Sequence, residues 1–223
     1  MSRNKTVGQL TASVRFRGDY EDVSGDYDDA YIGSALMLDF LDAAHSEVYD
    51  IMVEVEPDRY LTEYTFTTSA DQETYPLPAD FYRSRAVDIA SSSGSTDWYS
   101  MDRYESSERN TYGYQITAHA YRIEDGVIRV KSTPSGQMAI RLSYIPTATS
   151  LSSSAQTVDT INGYDALTVL LALRSCKVRS GESVKEIDGE ISRQTMRVRE
   201  MARGLDRGKP RRLGDPGRRN GSW

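Results

Sequence analysis

Histidine, cysteine and carboxylate side chains are the groups in this 223-residue chain that could support catalysis or hold a metal. The only histidines are His45 and His119, and the single cysteine is Cys176. Two histidines without a cysteine companion or suitably spaced carboxylates make a poor metal site, and a lone cysteine in an apolar stretch is more often a buried hydrophobic residue than a nucleophile. The sequence also has no G-x-S-x-G, P-loop or G-x-G-x-x-G motif.

Carboxylates are abundant, with 33 Asp and Glu residues in the chain. Some of them are expected to lie in pairs by chance, and a solvated acidic face explains such pairs better than a general acid and base do. We therefore predict that the protein is not an enzyme and that it uses no cofactor and no metal. An enzyme that works through surface carboxylates is kept as a lesser alternative.

The charge is divided unevenly along the chain. From Arg174 onward there are 14 Lys and Arg against 7 Asp and Glu, whereas the residues before it carry 13 and 26. An acidic body thus carries a basic C-terminal part, which suits docking on an acidic partner or on phosphates. A solvated helix and a disordered end would explain the same split.

The last residues form a basic arm in which the cations are separated by Pro and Gly. Such a composition predicts a segment that is disordered when free and becomes ordered only against a partner. Arginine forks suit carboxylates as well as phosphates, and a terminal Trp is large enough to be a buried anchor. The candidate docking residues are Arg207, Lys209, Arg211, Arg212, Arg218, Arg219 and Trp223.

No apolar run in the sequence is long enough to cross a membrane, and none follows the N-terminal residues as in a secretion signal. We expect a soluble protein that is not secreted. Because one cysteine cannot form a disulfide within the chain, a reducing compartment is expected.

Four helices are predicted to position one of the histidines, the cysteine and the basic arm. Thr6 is a good N-cap for a short first helix, and a Gly- and Asp-rich loop is predicted from Arg17 to Asp29. A long amphipathic helix is predicted from Ala30 to about Glu54, and later in the chain an apolar and buried helix from Tyr164 to Arg179. Gly181-Glu182-Ser183 separates this helix from the last one. The predicted apolar stripes are Ile32, Leu36, Phe40, Leu41, Ala44, Val48 and Ile51 in the long helix, and Val184, Ile187, Ile191, Val198, Ala202 and Leu205 in the last helix.

Between the helices the pattern changes to that of strands. Pro57 ends the long helix. From Arg59 to Thr68 the residue types alternate between two faces, which predicts a half-buried strand. The stiff stretch from Glu73 to Tyr82, with two prolines, is predicted to be an extended corner between the helices and the sheet. Asp125-Gly126 predicts a tight hairpin turn, and Met138 to Tyr144 a further strand. We expect an antiparallel sheet of about four to six strands.

The predicted fold class is therefore α+β, a bundle of about four helices with a small antiparallel sheet domain inserted between the early and late helices. The expected domains are residues 1–56 for the N-terminal helices and 57–158 for the β-rich insertion. Residues 159–205 would complete the bundle, and 206–223 would form the extended basic arm.

Several features follow one another in a fixed order: a short helix, a long helix that ends in Leu41-Asp-Ala-Ala-His-Ser-Glu47, the Tyr-Pro-Leu-Pro-Ala-Asp-Phe corner, a sheet that closes in Leu142-Ser-Tyr-Ile-Pro146, and two last helices. In this order and spacing the chain resembles the head-to-tail adaptor (connector) proteins of tailed bacteriophages, over about Thr6 to Leu205. The Gly- and Asp-rich insertion and the arm do not belong to the minimal pattern, so the resemblance implies no role for them.

What the resemblance implies is a structural virion protein at the head-tail interface, assembled in the host cytoplasm. It would form a homo-oligomeric ring, usually of twelve subunits, that binds beneath the portal protein and contacts a downstream tail or nozzle protein. The genome would pass through the channel without sequence-specific binding during packaging, retention and ejection. An acidic body suits such a channel, because it repels duplex DNA where a basic wall would hold it.

A different class of function stays open on the same residues. A nucleic-acid-binding module would grip phosphates with the Arg-rich arm while the acidic body faces solvent.

Overall fold

The structure, a computed structural model, describes residues 5–20, 32–90, 92, 94–108, 119–131, 136–158 and 164–203. Within these ranges there are four α-helices, α1 (Val7–Gly18), α2 (Ser34–Val55), α3 (Tyr164–Ser180) and α4 (Lys185–Arg203). The strands are β1 (Lys5–Thr6), β2 (Thr62–Thr67), β3 (Thr74–Pro76), β4 (Phe81–Ala90), β5 (Trp98–Ser100), β6 (Asp102–Arg103), β7 (Ala120–Glu124), β8 (Val127–Lys131), β9 (Ala139–Pro146) and β10 (Thr157–Val158). The predicted α+β class is confirmed.

The chain divides into two compact units. The helical unit contains the described residues up to Val55 and from Leu151 onward, and the β unit is Glu56–Ser150. In the helical unit α3 packs against α1, α2 and α4, and eight of the first ten residues of α3 are buried. The short strands β1 and β10 pair antiparallel beside α1.

Helix α1 begins where the sequence predicted. Thr6 is its N-cap, and the Thr6 side chain and Gln9 form a reciprocal capping box that satisfies two otherwise unpaired amides. The predicted loop start at Arg17 is wrong, because the helix continues to Gly18 and ends at Asp19, whose φ of 56° is left-handed. Most of the predicted loop lies outside the described residues.

The long helix is confirmed, but it begins at Ser34 and its buried stripe differs from the prediction. The buried side chains are Met37, Leu41, Ala44, Val48, Met52 and Val53. Leu36, Phe40 and Ile51, which were predicted to face the core, are only partly buried. The prediction failed there because α2 is apolar on more than one side, so that two neighbouring stripes compete and tertiary packing selects between them.

Helices α3 and α4 are joined as predicted by a turn at Gly181, whose φ of 73° suits glycine. Leu167, Leu170 and Cys176 of α3 are buried. In α4 only Val198 and Ala202 are buried, whereas Ile187 and Ile191 are half-buried, so the predicted stripe reaches the core only in the C-terminal half of the helix. Leu205 lies outside the described residues.

The β unit contains two four-stranded sheets, ordered β2-β9-β4-β5 and β3-β8-β7-β6. Their apolar side chains share one core, which includes Val87, Ile128, Ile140, Leu142 and Tyr144. The expectation of one antiparallel sheet is wrong in two respects, because the strands divide between two sheets and β6 pairs parallel with β7. These pairings join residues distant in sequence, which local alternation does not reveal.

The proline-rich stretch links the two sheets and is not a corner between helices and sheet. Tyr75 and Pro76 belong to the edge strand β3, where a missing amide donor is tolerated, and β4 in the other sheet begins at Phe81. The Tyr75 hydroxyl is held by the Ser69 amide at 3.0 Å and donates to the Gln72 carbonyl at 2.9 Å.

The predicted hairpin is confirmed between β7 and β8. Asp125 and Gly126 both have positive φ, 48° and 76°, as a two-residue hairpin turn requires.

Candidate interaction surfaces

The residues with catalytic potential are separated into different environments. His45 lies on α2, where burial lowers its pKa although Asp42 acts in the opposite direction. Cys176 is buried in α3, where burial raises the pKa of its thiol to about 11, and its Sγ lies 3.9 Å from the Met37 sulfur. His119 lies directly before β7. Within the described ranges no group of three or more His, Cys, Asp or Glu residues is arranged to hold a metal ion.

Every candidate docking residue from Arg207 to Trp223 lies outside the described residues. The structure therefore does not test their role in docking, which stays a prediction. Among the described helices, none is long and apolar enough to cross a membrane. The surfaces that the structure does describe belong to the four helices of the helical unit and to the sheet faces of the β unit.

A groove opens between the first two helices and the segment before β10. Its volume is about 440 Å³, and small side chains form most of its wall. At its base lies the buried Arg15, whose guanidinium donates to the Ser34 hydroxyl at 3.4 Å. The groove is lined by Val7, Gly8, Thr11, Ala12, Arg15, Ser34, Ala35, Leu38, Ser152, Ser153 and Ser154. No residue of α4 contributes to it.

The outer face of α4 is basic and carries an exposed apolar side chain. Met196 is 68% exposed and lies between Arg193 and Arg197, which make no ion pair with any described residue. Arg199 is bound to Glu54 of α2 at 3.0 Å, so the C-terminal ends of α2 and α4 lie side by side. This face can receive an acidic surface with room for one apolar side chain.

The outer face of α2 has the opposite charge. Asp39, Glu47 and Asp50 are exposed on the side of the helix away from its buried stripe. Asp39 follows Leu38, a wall residue of the groove, and forms no ion pair within the described part of the chain. An acidic stripe thus runs from the groove along α2 toward Glu54.

The sheet faces of the β unit carry charged residues that are joined to one another. Arg129 binds Glu124 at 2.9 Å and Glu73 at 3.2 Å, and Lys131 also reaches Glu73. On the other sheet, Arg141 binds Asp88 at 2.9 Å and lies over the Trp98 ring, 4.6 Å from its centroid. These ion pairs form within the β unit, so the groups that they join are not available to a partner.

A small pocket of about 220 Å³ opens beside the start of β4. Arg83, Arg103 and Ser84 line it together with the phenol of Tyr121, whose pKa burial raises against the effect of Arg103. Two guanidinium groups at one opening suit a carboxylate or another small anion.

Sequence reasoning missed the groove and Met196. The groove is assembled from three segments that are far apart in the chain, so no local pattern marks it. Met196 did leave a signal, because it falls out of phase with the apolar stripe that includes Val198 and Ala202. An apolar residue on the polar side of an amphipathic helix is a usable sign of an interaction surface.

Comparison with known proteins gives one family. A family model described as SU10 adaptor protein matches residues 5–220, a range that includes both units and most of the arm. No curated protein matches the chain.

Proposed function

Because the chain belongs to the SU10 adaptor protein family, we propose that it forms the head-to-tail adaptor ring of a tailed bacteriophage. Family membership itself makes the protein a phage adaptor and a component of the virion. The proposal adds that about twelve copies bind beneath the portal, extend its channel and contact the next protein of the tail. The family match along nearly the whole chain is the observation that carries it.

The charge of the described surface supports this proposal. Asp39, Glu47 and Asp50 expose carboxylates along α2, and the residues before Arg174 carry twice as many acidic as basic side chains. Duplex DNA binds proteins largely by releasing counterions to Lys and Arg, so an acidic body lets the genome slide past without being held.

We assign the basic arm to the portal. Its arginines can form paired hydrogen bonds with carboxylates of a partner, and Trp223 can fill an apolar pocket. Many weak attachments repeated around a ring would add to a strong one, because each further contact becomes intramolecular.

The test measures the molar mass of the purified protein by light scattering after size exclusion, with and without portal rings. A ring, formed alone or only on the portal, supports the adaptor. A monomer that does not bind portal rings contradicts the adaptor function.

The arm is tested separately with a chain that lacks residues 207–223. We expect this chain to keep its helical content but to lose stable binding to portal rings in a pull-down, and Trp223→Ala to weaken that binding. If the arm serves to grip nucleic acid, the result is the reverse: the full chain binds duplex DNA with an affinity that falls steeply as salt rises, the shortened chain does not, and portal binding persists.

A further inference from the structure

Helices α1 and α4 each pack against α2 and α3, but they make at most marginal contact with each other. The groove lies on the α1 side of the unit, and Met196 lies on the exposed face of α4. The helical unit therefore carries an exposed apolar side chain on α4 and an opening beside α1, on two helices that make little contact with each other.

The groove and the protruding side chain are compatible in shape. Gly8, Ala12 and Ala35 leave the groove wall low, and Leu38 gives it an apolar side. Methionine is unbranched and polarizable, so it fills irregular apolar spaces well. An exposed Met on a basic helix face otherwise gains nothing from its position, since burial of apolar surface is what stabilises such a side chain.

The charges around the two features are complementary. Arg193 and Arg197 lie three residues before and one residue after Met196, and the exposed Asp39 directly follows Leu38 of the groove wall at the start of the acidic stripe of α2. Among the described residues Asp39 forms no ion pair with Arg193 or Arg197, and the ion pair that joins α2 to α4 is between Glu54 and Arg199. Their complementarity is available to a second copy.

We propose that α4 of one subunit docks on the α1–α2 groove of the next, with Met196 in the groove and Arg193 and Arg197 against Asp39. The inference rests on the proposed ring and names the surfaces that join its subunits. A contact between two different faces of the same molecule is heterologous, and its repetition gives a ring when the rotation from one subunit to the next closes after a full turn. A self-complementary contact would stop at a dimer.

Chemical cross-linking tests the contact. Chains that carry both Ala12→Cys and Met196→Cys are treated with a short bifunctional maleimide, which is less demanding in geometry than a disulfide. Cys176 is kept, because it is buried and its pKa is raised. We expect a ladder of covalent multimers under denaturing conditions. The matched control combines Met196→Cys with Val178→Cys, an exposed position on α3 that is not part of the groove, and should give no ladder.

The outcomes separate this inference from the ring itself. A ladder from the chain with Ala12→Cys and Met196→Cys, and none from the control chain, supports the contact. Rings seen by light scattering together with no ladder, or with an equal ladder from the control pair, overturn the contact and leave the adaptor function standing. If no assembly forms with or without portal rings, both fail. A portal or tail protein that becomes cross-linked to Met196→Cys in place of a second copy also overturns the contact.

Charge reversal provides an independent test. A chain with Arg193→Glu and Arg197→Glu, and another with Asp39→Arg, should each need roughly tenfold more protein to assemble, because like charges would meet at every contact. Mixing the two chains should restore assembly in rings in which they alternate. At every second contact the original residues then meet, and at the others the substituted positions 193 and 197 of one chain meet the substituted position 39 of the other, so opposite charges face each other at every contact. If the mixture assembles no better than either chain alone, these residues do not face each other.

Discussion

The two units of this chain use their charged residues in opposite ways. In the β unit, arginines are joined into chains of ion pairs across strands, as Arg129 is to Glu73 and Glu124. In the helical unit the ion pairs are isolated, such as Arg174 with Asp188, and the exposed Arg193, Arg197 and Asp39 have no partner in ion pairs among the described residues. The β unit joins many of its charged residues to one another, whereas the helical unit leaves Arg193, Arg197 and Asp39 exposed without an ion-pair partner among the described residues.

The difference indicates where each unit obtains its stability and where the protein meets others. An ion pair on a sheet face stabilises the strands that carry it, but a charge without a partner stabilises nothing until a partner arrives. The helical unit must therefore depend on its apolar core, centred on α3. The exposed charges of the helical unit are then available to bind other proteins.

The largest expected effect tests that dependence. Leu170→Asp places a charge without a partner in the core of α3, where Leu170 is 2% exposed. The cost should be several kcal/mol, which is comparable to the total stability of a domain. We expect the helical signal in circular dichroism to be largely lost at 25 °C.

Two controls accompany this substitution. Val178→Asp, on the exposed side of the same helix, should melt like the parent protein. Ile187→Asp should have an intermediate effect, because Ile187 is half-buried. Normal melting of Leu170→Asp would refute the importance of the core.

The next effect is expected in the β unit. Leu142→Ala leaves a cavity in the shared core of the two sheets and should cost about 2–5 kcal/mol. Hydrogen exchange should show loss of protection in β4 and β9 while α3 keeps its own. Equal loss in α3 would mean that the two units unfold as one, and the comparison between them would fail.

A smaller effect should follow from the ion pairs themselves. Arg141→Met removes the partly buried bond to Asp88 and the contact with Trp98, and should cost about 1 kcal/mol, between the values for exposed and buried pairs. Arg85→Met, which breaks a well-exposed pair with Asp58, should change the urea midpoint little. If both substitutions have the same effect, the chained arrangement adds nothing.

The smallest effect concerns pH in the helical unit. Burial lowers the pKa of His45, so the unfolded chain binds a proton there more readily than the folded protein does. Stability should therefore decrease as the pH falls through about 6.5, the pKa of an unperturbed histidine. His45→Gln should reduce the slope of the melting temperature plotted against pH between pH 7.5 and 5.5. An unchanged slope would assign the pH dependence to other groups.

Much of the fold could be predicted because its signals are local. The Thr6 cap, the stop at Pro57, the Asp125-Gly126 turn and the glycine at 181 each act within a few residues. The division into two sheets was not predicted, because it depends on pairings such as Thr62 with Tyr144 across most of the β unit. Local patterns also could not decide between Leu36 and Met37 as the buried side of α2.

The candidate surfaces were less accessible to sequence reasoning than the fold. The basic arm was recognised from its composition, and it stays a prediction, since it lies outside the described residues. The groove near Arg15 needs α1, α2 and residues 152–154 to be brought together. Charge complementarity between Asp39 and Arg193 becomes visible only when both are known to be exposed.

The burial of Cys176 has a practical consequence for studying this protein. A thiol that is inaccessible and protonated at neutral pH cannot react until the helices around it separate. The rate at which the unaltered chain is labelled by an excess of thiol reagent therefore reports how often the helical unit opens. Compared between free subunits and assembled particles, that rate would measure how much the assembly slows this opening, without any added probe.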